Sequence, residues 1–186
     1  NVVEMDTVVG KFEDVKCIMT LFFKEEKLML MFLINKYKPS EVTRIFNYLK
    51  KKLGNDSFKS MFEVILTDNG WEFSLPEEIE FDSETGEKLT SLFYTEPYSS
   101  WQKGSIERNH EFIRYVIPKG ISFDTLTKKN VNDIMNNINN VQRKSLNYQT
   151  PSSLFKAKYD EDVFKKLNLR DIPKKDVNLS YTILKK

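Results

Sequence analysis

Cysteine and histidine are almost absent from this sequence, which contains one of each among 186 residues. The single thiol, Cys17, cannot form a disulfide within the chain or build a thiolate zinc site. Long apolar runs are also missing, because the longest, residues 28–34, has seven residues, whereas a membrane-spanning helix needs about 18. No secretory signal is visible either. The sequence therefore predicts an intracellular protein with no membrane partner.

An excess of charge of one sign is missing as well. The chain has 29 basic and 27 acidic side chains and a net charge of +2, so its total charge does not identify a nucleic-acid binder. Acids concentrate between residues 77 and 87, and basic clusters recur at 50–52, 143–144, 165–166, 174–175 and 185–186. Each basic cluster is either an ordinary solvated surface or a contact for phosphate.

The residues that are present describe one globular domain. Hydrophobic residues make up 40% and charged residues 30% of the chain, and a domain of this size buries roughly two thirds of its unfolded surface. The chain begins at Asn1, inside an apparent strand and without an initiator methionine. We therefore expect it to be a fragment of a longer protein.

The pattern of elements predicts the α/β class. A helix is expected over residues 39–53 and a short helix or loop over 74–88, among β-rich runs at 2–9, 15–23, 27–34, 62–67 and 89–95. The short breaks between the first three runs are typical of antiparallel neighbours. A crossover helix then allows the fourth strand to lie parallel to the first. We expect a five-stranded mixed sheet flanked by helices.

The second half of the chain is mainly helical. Apolar spacing predicts helices at 105–117 and 128–141 and a shorter one near 152–158. The remainder is rich in lysine, with a possible strand at 177–184. We place a core domain at residues 1–159 and a C-terminal extension at 160–186.

Three acidic residues stand out by their positions. Asp68 ends an apolar run and precedes the turn-forming pair Asn69–Gly70, Asp6 lies on the first strand, and Glu107 lies in the first turn of a helix. Each alone has an ordinary explanation: an edge-strand acid, an acid closing a local turn, or an acid favoured by the helix dipole. Together, in this order, they predict one carboxylate site for divalent metals acting on nucleic-acid phosphates.

Several ordered motifs resemble the catalytic core of bacterial insertion-sequence transposases of the IS30 type. The motifs are Thr67-Asp68-Asn69-Gly70-x-Glu72-Phe73, Pro97-Tyr98-Ser99-Ser100-Trp101-x-Lys103-Gly104-Ser105-x-Glu107, Arg114, Pro118-Lys119-Gly120, Asn139-x-x-x-Arg143-Lys144 and Thr150-Pro151. The resemblance covers roughly residues 1–155. Transposases of this type are grouped with retroviral integrases in the DDE superfamily.

The resemblance implies a ribonuclease-H-like fold and a DDE triad formed by Asp6, Asp68 and Glu107. The triad would bind Mg²⁺, with two ions expected and Mn²⁺ as a substitute. The implied activity is cleavage at the ends of a mobile element, followed by transfer of the freed 3′-hydroxyl into target DNA. The implied partners are DNA and further copies of the chain, as a dimer or higher oligomer. The implied location is the bacterial cytoplasm, at the nucleoid.

The sequence departs from the family pattern around the third acid. Thirty-eight residues separate Asp68 from Glu107, slightly more than is usual, and the acidic stretch 77–87 is expected to hold the surplus. Ile106 and Arg108 flank Glu107 where the family commonly has Asn, and His110 and Glu111 replace a small polar pair. These changes affect the surroundings of the triad. His110 is expected to be a hydrogen-bonding neighbour, with a general-base role as the alternative.

Candidate DNA contacts lie on both sides of Glu107. Tyr98 and Trp101 either stack on splayed bases or pack their own loop. The candidate phosphate contacts are Lys103, Arg108, Lys119, Arg143 and Lys144. Two other functions stay open at this point: a ribonuclease-H-like nuclease that only hydrolyses, and an inactive DNA-binding module. No small-molecule substrate is expected.

Overall fold

A five-stranded mixed sheet forms the centre of the protein. The structure, a computed structural model, describes residues 1–96 and 104–185. The strands are β1 Val2–Val9, β2 Lys16–Phe23, β3 Leu28–Asn35, β4 Val64–Thr67 and β5 Ser91–Tyr94, arranged in the order β3-β2-β1-β4-β5. β1, β2 and β3 form an antiparallel meander, while β4 pairs parallel with β1 and β5 parallel with β4. The predicted mixed sheet is confirmed.

Six α-helices surround the sheet in the described part of the chain. They are α1 Pro39–Leu53, α2 Asn55–Met61, α3 Pro76–Glu80, α4 Gly104–Val116, α5 Lys128–Asn139 and α6 Pro151–Lys166. The sequence sets several ends: capping boxes at Thr127 and Thr150 begin α5 and α6. Gly54, at φ 81°, ends α1. None of the helices described is long and apolar enough to cross a membrane.

An aromatic cluster joins the sheet to helices from both halves of the chain. Phe58 and Phe62 stack at 4.7 Å between ring centroids, and Phe23 on β2 meets Phe62 edge-on at 5.3 Å. Phe155 on α6 meets Phe23 at 5.2 Å. Aromatic pairs contribute about 0.5–1.5 kcal/mol each beyond burial of their area. The cluster therefore holds α6 against the same core as α2 and β2.

The C-terminal segment differs from its predicted form. The expected strand at 177–184 is wrong, because 3₁₀ turns form instead at Lys174–Asp176 and Tyr181–Lys185. α6 also runs past the predicted 152–158, through a kink at Asp160 with φ 73°. The Asp160 carboxylate accepts hydrogen bonds from the N–H groups of Asp162 and Val163. It thereby caps a second helical segment that a period-based prediction does not detect.

Asparagine side chains of α5 hold this C-terminal segment along the helix. Asn136 accepts from the Arg170 N–H at 2.8 Å and donates to the Asn168 carbonyl at 3.1 Å. Asn140 makes the equivalent pair with the Arg170 carbonyl and the Ile172 N–H. The backbone of this segment therefore forms its hydrogen bonds with side-chain amides of α5 instead of with a neighbouring strand. The boundary at residue 160 stays a prediction, although residues beyond it are bonded to α5.

Asn139 on α5 covers the outer edge of the sheet. Its side-chain oxygen accepts from the Met29 N–H at 2.9 Å, and its amide nitrogen donates to the Met29 carbonyl at 2.8 Å. β3 is an edge strand, and an unpaired strand edge invites association with other chains. The fully buried Asn139 therefore replaces a sixth strand at this point.

We predict that Asn139→Ala lowers the free energy of unfolding by about 2–4 kcal/mol, because two buried backbone groups of Met29 lose their partner. Asn47, which is exposed on α1, provides the control: Asn47→Ala should change stability by less than about 0.5 kcal/mol. Urea denaturation of both variants measures the difference. Equal stabilities would refute this role for Asn139.

A second prediction concerns the thiol of Cys17, which is buried on β2. Burial, with a smaller contribution from the charge of Glu72, raises the pKa of Cys17 to about 12. Only the thiolate reacts with disulfide reagents. At pH 8 we therefore expect labelling of the native protein to be about 1000-fold slower than labelling in denaturing guanidinium chloride. Labelling at comparable rates in the two states would contradict the burial of this strand.

Candidate active site

The pairing of β1 with β4 brings Asp6 and Asp68 side by side. Glu4 lies opposite Leu66 in this parallel pair of strands. Two residues further along, the corresponding positions are Asp6 and Asp68. The Thr67 hydroxyl donates to the Met5 carbonyl at 3.1 Å and ties the strands together just before the two acids. Neighbouring strands lie about 4.8 Å apart. Two acidic residues that are distant in sequence are therefore carried by neighbouring strands to the place where β4 ends.

A backbone N–H group orients each of these two carboxylates. Oδ1 of Asp6 accepts from the Thr7 N–H at 2.8 Å, and Oδ1 of Asp68 accepts from the Gly70 N–H at 3.0 Å. The turn after Asp68 is tight, because a Cβ added at Gly70 would lie 3.1 Å from Asp68 Oδ1 and 3.0 Å from Glu72 Oε2. The turn-closing role expected of Asp68 is thus present, alongside its position beside Asp6.

Glu72 is a site residue that the sequence analysis did not single out. It lies in the 3₁₀ turn Trp71–Phe73 and is only 7% exposed. Its Oε1 accepts from the Thr7 hydroxyl at 2.8 Å, so it joins the segment after Asp68 to the residue after Asp6. Its place in the 67–73 motif was the available signal, but burial of a glutamate is not visible in sequence.

α4, which carries Glu107, is anchored on the face of β1 that holds Asp6. The Ile106 N–H donates to Oε2 of Glu4 at 2.7 Å, and Glu4 shares a face with Asp6 because alternate strand residues do so. One turn further along, His110 Nε2 lies 2.9 Å from the Thr20 hydroxyl, which donates to the Asp6 carbonyl at 3.1 Å. His110 is therefore a hydrogen-bonding neighbour of the site, as expected.

Glu107 lies between these two anchors, one residue after Ile106 and three before His110. Its side chain is exposed and lines an open groove of about 470 Å³ together with His110, Glu111, Arg114, Tyr115 and Lys119. Residues three apart share one side of a helix, which explains why Glu107 and His110 border the same groove. Glu107 therefore lies on a helix that is anchored to β1 and β2, and its side chain borders this groove.

The carboxylate oxygens of the candidate site are chemically suitable ligands for a hard divalent cation. Carboxylate oxygens are the ligands that Mg²⁺ prefers, and it commonly keeps several waters with one or two carboxylates. Asp6 and Asp68 supply two such groups on neighbouring strands of the sheet. Across residues 1–96 and 104–185, no three side chains of Asp, Glu, His or Cys are grouped so that they could hold a metal ion. The triad thus stays a prediction, supported in part by the Asp6–Asp68 pair.

The candidate DNA contacts have different surroundings. Arg108 and Lys144 are exposed, as is Lys119 beside the groove. Tyr98, Trp101 and Lys103 lie outside the described residues. The described lysines and Arg108 are therefore accessible to phosphate, and their assignment stays a prediction.

Arg143 is held by protein contacts. Its guanidinium carbon lies 3.7 Å from the centroid of the Phe112 ring, and Nη2 donates to Asn109 Oδ1 and to the Ile138 carbonyl, each at 3.4 Å. Burial lowers the pKa of Arg143 to about 10. The side chain therefore connects the end of α5 to α4, and a DNA contact by Arg143 stays a prediction.

Comparison with known proteins places the sequence among mobile-element proteins. No protein-family model matches the chain. It is 33% identical over 154 residues to the transposase of insertion sequence IS4351 from Bacteroides fragilis, a match that covers 82% of this chain and 44% of that protein. This chain is a homologue of insertion-sequence transposases. A putative integrase of Spiroplasma virus SpV1-R8A2 B is 28% identical over 82% of this chain and 44% of its own length.

The homologues include a transposase of the IS30 group, which confirms the resemblance found in the motifs. The transposase InsI of element IS30A from Escherichia coli K12 is 28% identical over 101 residues, covering 53% of this chain and 26% of that protein. The chain spans 44% of the length of the first two relatives described. Their full activities therefore concern longer proteins.

Solved structures confirm the ribonuclease-H-like fold. The catalytic core domain of BIV integrase superposes with a TM-score of 0.57 at 16% identity, covering 84% of this chain and 94% of that one. The catalytic core of HTLV-2 integrase in complex with magnesium gives 0.57 at 17% identity, over 82% and 94%. A simian T-cell lymphotropic virus intasome chain gives 0.59 at 14% identity, over 94% and 57%.

We predict that Arg143→Ala destabilises the protein by about 1–3 kcal/mol, because the stacking on Phe112 and the contacts to α4 and α5 are lost. The adjacent, exposed Lys144 is the matched control, and Lys144→Ala should leave stability within about 0.5 kcal/mol of the wild type. Urea denaturation measures both. Identical stability of the two variants would argue against a packing role for Arg143.

Proposed function

We propose that this chain is the catalytic core of a DNA transposase, which cleaves DNA at the ends of its element and joins the freed 3′-hydroxyl to target DNA. The observation that carries the proposal is the parallel pairing of β1 with β4, which sets Asp6 and Asp68 on neighbouring strands, together with the anchoring of α4, the helix that carries Glu107, on β1 and β2. Homology to insertion-sequence transposases and the fold of integrase catalytic cores support it.

Asp6, Asp68 and Glu107 are the residues assigned to hold divalent ions, Mg²⁺ in the cell and Mn²⁺ as a substitute. A pair of such ions, when bound, neutralises charge on the scissile phosphate and activates the attacking hydroxyl. The chain's own contribution is placement of the carboxylates. The Thr7 and Gly70 N–H groups orient two of them, and Thr20, through His110, holds α4 beside β1.

The groove beside Glu107 is the assigned path for the DNA strand. Lys119 presents an exposed ammonium to it, whereas Arg114 donates to the Val9 carbonyl at 2.9 Å, and burial lowers the pKa of Arg114. Arg108 and Lys144 add exposed positive charge. Tyr98, Trp101 and Lys103, which lie outside the described residues, are proposed as DNA contacts from their motif alone. Contacts of this kind give an affinity that falls with salt.

Element ends and target DNA are the proposed partners, in an assembly of two or more copies of the chain. Joining an end to a target requires both DNAs at one centre, and a structural neighbour comes from an intasome. A bacterial homologue supports the bacterial cytoplasm, at the nucleoid, as the proposed location.

We predict that Asp68→Asn and Glu107→Gln each reduce strand transfer by about 100-fold or more without unfolding the protein, because each change removes a carboxylate from the proposed site. Asp56→Asn, in an exposed position on α2, is the matched control and should retain the wild-type rate. The assay measures joined products from labelled element ends with Mg²⁺ or Mn²⁺. Wild-type strand transfer by either site variant would reject its assignment.

The same assay separates the alternatives. A preprocessed DNA end with a free 3′-hydroxyl yields joined products with a transposase and none with a nuclease that only hydrolyses. An inactive DNA-binding module would show no heat of Mg²⁺ or Mn²⁺ binding by calorimetry. We expect joined products and metal binding that is weakened in Asp68→Asn.

A further inference from the structure

Glu4 is a fully buried carboxylate on β1. Its Oε2 accepts from the Ile106 N–H of α4 at 2.7 Å, and its Oε1 lies 3.0 Å from the Lys24 ammonium. Within residues 1–96 and 104–185, no directed hydrogen bond reaches Oε1, so Lys24 acts on it through charge. A buried carboxylate without partners is strongly unfavourable. Its two partners, one at the end of β2 and one at the start of α4, therefore fix its position.

We infer that Glu4 is a positioning residue, which sets where the first turn of α4, and with it Glu107, lies relative to Asp6. The inference rests on the proposed function, since it concerns the placement of one of the proposed catalytic carboxylates. Glu4 and Asp6 are two residues apart on one strand face, a separation of about 7 Å along the strand. The hydrogen bond from Ile106 to Glu4 therefore fixes the residue immediately before Glu107 relative to β1.

The strength of this link follows from the kind of bond. The first N–H groups of a helix have no partner within the helix and carry a partial positive charge. A hydrogen bond from such a group to an ionised carboxylate is shorter and stronger than one between neutral groups. The 2.7 Å contact between Ile106 and Glu4 is of this type, and it is buried.

A second anchor makes the placement of α4 specific. His110 meets Thr20 on β2, so polar contacts hold the helix both before and after Glu107. Ile106, Ile113 and Val116 are buried on the same helix, but apolar contacts alone are non-directional and allow a helix to shift along its partner. Glu4 thus supplies a directional constraint at the end of α4 nearest Glu107.

Two substitutions at Glu4 distinguish the effect of its side-chain length from the effect of its charge. Glu4→Gln keeps an oxygen at the distance that accepts from Ile106, whereas Glu4→Asp keeps the charge but is one methylene shorter. We expect Glu4→Asp to lower kcat for strand transfer by about 10- to 100-fold, because small displacements of catalytic groups cost this much. KM for DNA should stay within about twofold of the wild type, and Glu4→Gln should keep kcat within about fivefold.

Hydrogen exchange supplies a readout that does not depend on activity. The amides of residues 104–110 should exchange about tenfold faster in Glu4→Asp than in the wild type, while those of α5 are unchanged. Glu26 provides the matched control, because it is a buried glutamate paired with Lys158 at 2.6 Å, at the β2–β3 turn. Glu26→Asp should leave both kcat and the exchange of residues 104–110 at their wild-type values.

The outcomes discriminate between positioning and other roles. Wild-type kcat and wild-type exchange in Glu4→Asp would overturn the inference. Full activity of Glu4→Asp would overturn it too, whatever the activity of Glu4→Gln, because a side chain that is too short would then place α4 as well as the native one. Should Asp68→Asn retain wild-type strand transfer, the proposed function fails at that residue, and the exchange measurement still decides whether Glu4 fixes α4.

Discussion

The parallel pairing of β1 with β4 is the constraint on which the rest of the site depends. Asp6 and Asp68 are separated by three strands and two helices in the chain, and only the register that sets Glu4 beside Leu66 brings them onto neighbouring strands. A slip of one residue would turn Asp68 to the other face of the sheet. The Thr67–Met5 hydrogen bond and the buried Ile65 both resist such a slip.

Much of the fold, and the proximity of Asp6 to Asp68, can be predicted from local patterns in the sequence. Alternation, turn residues and helical spacing gave the five strands, and the crossover between β3 and β4 placed Asp6 near Asp68. The docking of the C-terminal segment was not predictable, because asparagine amides bonded to backbone leave no periodic pattern. Glu4 and Glu72 were also missed, because a glutamate in a sequence is normally solvent-exposed and its burial depends on distant partners.

The acids around the site therefore fall into two groups with different physical demands. Glu4 and Glu72 are buried; an N–H group donates to Glu4, a hydroxyl donates to Glu72, and the Lys24 ammonium forms an ion pair with Glu4. Asp6 and Asp68 are half-buried, and Glu107 is exposed. A buried charge is tolerated only when it is well paired, whereas a metal ligand has to remain accessible. The first group holds backbone segments in place, and the second presents the carboxylates proposed for catalysis.

α4 shows why such polar contacts matter more here than overall packing. The helix contacts β1 through Glu4, β2 through Thr20 and the end of α5 through the Asn109–Arg143 contact. The two solved integrase cores share the fold at only 16% and 17% identity, so the arrangement of layers survives the exchange of most side chains. The position of a helix to within an ångström does not follow from that arrangement. It has to be specified by directional bonds, and in the part of the chain that the structure describes Glu4 makes one of them, to the residue immediately before Glu107.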